Sequence, residues 1–137
     1  MALMLLLLYG SMGGLASVLL SAFLRPLLPN TLRPDVIADR LTWRDLVEVA
    51  SHLGAGAGVA ALYWLSWGFA ALVSLPWWQR GLVFGLACWF ALAVPVLVAT
   101  ATQARIPRRR AAILVFEWAC TCAFAALACA RAWATLP

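Results

Sequence analysis

The chain has 137 residues, of which 66% are hydrophobic and only 11% charged, whereas soluble domains run at about 45–50% apolar and about 25% charged. So short a chain has too much surface for its volume to hide that many apolar side chains from water. Soluble globular, disordered and nucleic-acid-binding classes are thereby excluded, and a membrane protein is expected. The formal net charge of +5 comes from ten arginines, no lysine and five acids. Such an excess can mark a nucleic-acid partner, but most of these arginines flank apolar runs. They read instead as topology signals and contacts to phospholipids. Arginine without lysine also suggests a GC-rich bacterial genome.

The first apolar run, residues 2–24, contains no charged side chain. A signal peptide would carry a basic start, and no basic residue precedes Arg25, so the run predicts a retained transmembrane helix. Residues 25–52 form a loop carrying Arg25, Arg33, Arg40 and Arg44. Pro26, Pro29 and Pro34 stop the first helix from continuing, and at most a short helical piece fits around residues 35–40. From Thr42 the pattern changes. Trp43, Leu46, Val47, Ala50 and Leu53 recur at helical spacing, with Arg44, Asp45, Glu48, Ser51 and His52 on the other face, and Thr42 with Asp45 supplies a start signal. This predicts a short cytoplasmic interfacial helix before the second span, or a protruding start of that span. A single helix over residues 41–75 would be too long for one upright crossing.

The second apolar run covers residues 53–75 and ends at Pro76. The third covers residues 81–101, with Pro95 inside it, and the fourth covers residues 111–133 and holds Glu117. At about 1.5 Å per residue, about 20 residues cross the roughly 30 Å hydrocarbon core. The expected fold is therefore all-α: an integral membrane four-helix bundle, with residues 1–137 as a single membrane domain. Short connections make consecutive spans alternate in direction, which places eight of the ten arginines at one end. The positive-inside rule makes that end cytoplasmic and puts both termini outside a bacterial inner membrane. Trp77, Trp78 and Trp133 then lie at the outer interface and Trp43 at the inner one.

Few side chains offer chemistry. Glu117 lies inside a span, where a carboxylate must be protonated, paired or turned into an interface or aqueous cavity. It reads as a proton or cation site, or as a structural anchor. Glu48 and His52, four apart on one face, can join Glu117 in a polar cluster if the second and fourth helices touch. Such a cluster suits proton transfer or a divalent metal, though it has no recognised ligand spacing and no metal or cofactor is expected. A single histidine rules out bis-histidine haem ligation within the chain. Cys88, Cys120, Cys122 and Cys129 contain no C-x-x-C and read as small hydrophobes, although a bridge between Cys88 and Cys129 is conceivable.

Small residues point to close helix packing. Gly54, Gly58 and Ala61 form the candidate packing face of the second span; Gly10, Gly13, Gly14 and Ser17 do so in the first, and Gly81 and Gly85 in the third. Trp64, Trp67 and Trp89 are candidates for an aromatic pocket, or else fill grooves opposite those small residues. Pro95 should kink the third span and release a carbonyl near Ala91. No nucleophile–base set, nucleotide loop or metal motif is present, so an enzyme is not expected. The leading expectation is a non-catalytic accessory or assembly subunit, packing against other membrane proteins or copies of itself. Behind it stand a small oligomeric transporter or channel using Glu117, and then lipid, quinone or pigment binding.

Overall fold

The computed structural model describes residues 1–24, 43–67 and 69–136. Most of the first arginine-rich loop therefore lies outside the described residues. So do its prolines, the short helix expected around residues 35–40, and Thr42. The elements are α1 (Ala2–Leu24), α2 (Trp43–Leu65), a 3-10 turn (Ala70–Leu72), α3 (Trp77–Cys88), a π-turn (Trp89–Ala93), α4 (Val94–Gln103) and α5 (Arg108–Trp133). With α3, the π-turn and α4 forming one continuous segment, four helical segments among the described residues are long and apolar enough to cross a membrane. The protein is all-helical and is consistent with a membrane-spanning bundle.

Cross-helix contacts fix the directions of the spans. Gly10 of α1 meets Gly56 of α2, and Gly14 meets His52, so α1 and α2 run antiparallel. Ser17 reaches Thr121, and Gly13 abuts Ala125, so α5 also opposes α1. His52 bonds to Thr121, and Tyr63 lies beside Trp133, so α2 and α5 are parallel. Gly81 packs on Leu127 and Ala130, and Gly85 on Cys122 and Ala126, so α3 opposes α5. The spans therefore alternate, and the Arg105–Arg110 turn lies at the same end as the close of α1 and the start of α2. By sequence that is the arginine-rich end.

The packing inverts that of a soluble bundle. The buried core is mostly small: Ala60, Cys122, Ala125, Ala126, Cys129 and Ala130, with Leu6, Val59, Tyr63 and Phe84 among the larger members. Large apolar side chains instead face outward, including Met4, Leu19, Phe23, Phe90, Val96 and Phe116. Lipid tails are as apolar as leucine, so burying large side chains gains little, while small residues let backbones approach for dispersion contact. Gly14 and Gly56 illustrate this. A Cβ on Gly14 would strike the carbonyl oxygen of His52, and one on Gly56 would strike that of Gly10.

The second span follows the second of the two expected alternatives at its start and departs from expectation at its end. One helix runs from Trp43 to Leu65, so residues 43–52 are its protruding start, and it stops well short of residue 75. Its apolar side is turned outward: Trp43, Leu46, Val47 and Ala50 are exposed, Glu48 is half-buried and His52 is buried. In lipid the favourable arrangement puts apolar residues outward and polar residues against protein partners. The early stop is local. Ser66 Oγ donates to the Tyr63 carbonyl at 2.9 Å and accepts from the Phe69 N–H at 3.1 Å, diverting the backbone from the helical ladder. Trp67 and Phe69 then take left-handed φ values of 53° and 58°.

Two further breaks shape the rest of the chain. Pro95 has no N–H to offer, and its ring would crowd the carbonyl four residues back. The π-turn just before it absorbs the mismatch, with the Val94 N–H donating to the Trp89 carbonyl. At the far end of α4, the Ile106 N–H bonds to the Ala101 carbonyl at 2.9 Å and the Arg105 N–H to that of Thr102 at 3.3 Å. This is a Schellman closure, whose left-handed position is usually glycine. Arg105 occupies it here with φ 52°, at a cost of roughly 1–2 kcal/mol relative to a right-handed residue. Pro107 then starts α5.

Candidate functional site

The bundle contains a buried polar junction where α1, α2 and α5 meet. Ser17, His52 and Thr121 are 1%, 6% and 0% exposed. Ser17 Oγ donates to the Gly14 carbonyl at 2.7 Å, while Thr121 Oγ1 lies 2.8 Å from both Ser17 Oγ and His52 Nδ1. Thr121 also reaches the Glu117 carbonyl at 3.1 Å. Counting protons orders the chain. The Gly14 and Glu117 carbonyls can only accept, so Ser17 donates to the first and Thr121 to the second. The contact between the two hydroxyls draws on one of those same protons, which leaves His52 to donate Nδ1–H to Thr121 Oγ1.

This arrangement relates to the expected cluster of Glu48, His52 and Glu117 in a specific way. The structure brings α2 and α5 together at His52, and one link to Glu117 runs through Thr121 and the Glu117 backbone. The Glu117 side chain lines a groove of about 280 Å³ between α1 and α5, with Ser21, Leu24, Phe116 and Cys120. Glu48, one turn before His52, is half-buried, and all three residues have interaction partners in the protein. Among the described residues, no three His, Cys, Asp or Glu side chains are grouped to hold a metal ion. Sequence reasoning missed Thr121. The signal was present: it is the sole serine or threonine between residues 108 and 133.

On the other side of His52, the Trp118 ring stacks at 4.9 Å and 20° and forms part of the floor of a second feature. This is a lateral apolar cleft of about 330 Å³, walled by Ala55, Gly58 and Leu62 of α2 and by Leu92 and Val96 across from them. Gly58 lines it, and added Cβ atoms at Gly54 and Gly58 would meet nothing within 4 Å. The expected packing face on α2 thus opens on the cleft and touches no other described helix at Gly54 or Gly58; Ala61, beside it, is half-buried. Internal packing uses Gly56, on another side of the helix.

The remaining candidates separate. Trp64 and Trp67 are exposed. Trp89 is half-buried against the core and donates Nε1–H to the Val115 carbonyl at 2.9 Å. None of the three lines the cleft. The aromatic cluster forms instead at the end opposite the arginines, where Tyr63 and Phe69 both pack edge-on against Phe84 and Tyr63 does so against Trp133. There the Tyr63 hydroxyl and the Arg80 Nε are buried without a hydrogen-bond partner among the described residues, and Arg131 lies 5.4 Å over the Trp77 ring. None of the four cysteines is disulfide-bonded; Cys88 and Cys122 both line the cleft, and Cys129 Sγ points to the Leu6 carbonyl at 3.6 Å.

The chain matches no known protein family, no curated protein and no solved structure in comparisons with each. What the geometry defines is a multi-pass helical bundle with a closed polar junction beside an open apolar cleft.

Proposed function

We propose that this protein is a non-catalytic accessory or assembly subunit of a bacterial inner-membrane complex, and that the cleft beside Gly54 and Gly58 receives a transmembrane helix of the partner. The supporting observation is that small-residue face. Two glycines one helical turn apart let a neighbouring backbone approach closely, and among the described residues none does so there. The lining of the cleft is apolar, which suits a helix in lipid. The third span forming its far wall is also the least enclosed: 17% of its apolar window is buried, against 28% in each of the other three. In this reading the arginine-rich end faces the cytoplasm and both termini face outward, as the charge bias directs.

The test is Gly58→Leu combined with mild-detergent extraction from the native membrane. Because an added Cβ at Gly58 meets nothing among the described residues, the isolated variant should melt like wild type. The complex should lose its co-purifying protein. An unchanged complex mass would assign that face to lipid and remove the basis of the proposal.

A small transporter or channel is the second reading, favoured by one observation: the half-buried Glu117 side chain lines a groove one turn from the ordered hydroxyl and imidazole chain.

A further inference from the structure

We propose that the groove between the end of α4 and the start of α5 binds an anionic phospholipid in the leaflet at the arginine-rich end. The groove measures about 480 Å³; its walls include Leu97, Val98, Ala101 and Val115, and Arg105 and Arg108 flank it at that end. An apolar channel beneath two guanidinium groups is complementary to an amphiphile with an acyl chain below a phosphate. Guanidinium binds phosphate oxygens through two parallel N–H donors, and basic residues near a membrane surface favour anionic lipids.

The stretch that carries these arginines holds no acid of its own. Residues 104–116 contain no acid, and the nearest one along the helix, Glu117, lines the different groove between α1 and α5. The backbone supplies an independent argument. Arg105 sits at the left-handed position of the Schellman closure, where glycine carries no steric cost. The turn itself therefore gives no reason for an arginine there. What the arginine adds is a cation at the groove mouth, on a backbone pinned by two hydrogen bonds and followed directly by Pro107. The inference is independent of the partner-helix reading, because Leu97 borders both features but Arg105, Arg108 and Val98 line only this groove.

That left-handed position also permits a clean experiment. The protein, purified in a neutral detergent, is titrated with phosphatidylglycerol or phosphatidylcholine, and binding is read by native mass spectrometry and by the shift in melting temperature. Wild type should prefer phosphatidylglycerol. Arg105→Gly should weaken that binding about fivefold, the worth of one arginine near a lipid surface, while its lipid-free melting temperature stays level or rises. Val98→Trp, which fills the groove from an exposed position, should weaken binding with unchanged lipid-free melting. Arg109→Gln, a charge that does not line the groove, should leave binding close to wild type. Equal losses for Arg105→Gly and Arg109→Gln would overturn the site in favour of diffuse attraction. Full binding by Val98→Trp, or displacement of the lipid by millimolar inorganic phosphate, would overturn it as well.

Discussion

Two parts of this bundle solve the same packing problem differently. Where α1, α2 and α5 meet, glycine backbones touch and every polar side chain of the junction has a protein partner. Where α3 and α4 continue the chain, Gly81 and Gly85 seat α3 on α5, but the segment after the π-turn stands away from α2 across the cleft. The contrast teaches that small residues alone do not reveal what they pack against. Gly56 and Gly58 are two positions apart on one helix, and one is sealed against α1 while the other opens sideways. The closed side reads as scaffold and the open side as the place for another helix.

The largest expected effect tests the closed side. Gly14→Leu would drive a side chain into the His52 carbonyl, a backbone atom that cannot rotate away. Overpacking of this kind costs about 1–3 kcal/mol or more, so little folded protein should survive extraction, as judged by size-exclusion yield and thermal melting. Gly58→Leu provides the contrast, with intact monomer and lost complex. If both variants unfold the monomer alike, the distinction between closed and open sides is wrong.

Thr121→Val comes next, since it keeps the shape and removes the hydroxyl shared by Ser17 and His52. Stranding buried polar groups costs about 1–3 kcal/mol, although interhelical bonds in membranes often measure lower, near 0.6 kcal/mol. Melting in detergent should fall for Thr121→Val and recover in Thr121→Ser. A Val variant as stable as wild type would show that the junction is not held by its hydrogen bonds.

How much of this was legible beforehand depends on the range of the interaction involved. The existence and alternation of four spans follow from composition, because about 20 apolar residues have few alternatives to crossing. The end of α2 was not legible, since residues 66–75 remain apolar while Ser66 redirects the backbone through contacts three residues away. At the start of α2 the stripe of Leu46, Val47 and Ala50 is exposed, as an apolar face turned toward lipid would be. Glu48, His52 and Glu117 stand out in the sequence as ionisable residues in or beside the spans, yet the residue that joins α5 to His52, Thr121, drew no notice because a hydroxyl in a helix is so often bonded to its own backbone. Nor can spacing tell Gly54 and Gly58 from Gly56, because only the neighbouring helix decides which side of α2 is covered.

The smallest expected effect separates the scaffold reading from transport. Glu117 is half-buried, has an interaction partner in the protein and lines the groove between α1 and α5. Gln keeps the size and most of the hydrogen-bonding capacity of the carboxyl but cannot release a proton. If Glu117 serves packing, Glu117→Gln should assemble at wild-type yield, with stability lowered by less than about 1 kcal/mol, and should sustain full cellular function. Glu117→Ala should fare worse, because it deprives that partner of its contact. If the groove carries protons or cations, Glu117→Gln should assemble equally well yet lose flux in reconstituted vesicles. The readout is therefore paired, with complex yield and proton flux measured on the same preparation. A well-assembled Gln variant that abolishes a flux present in wild type would replace the accessory reading with transport, whereas wild-type behaviour in both would confine Glu117 to holding α1 against α5.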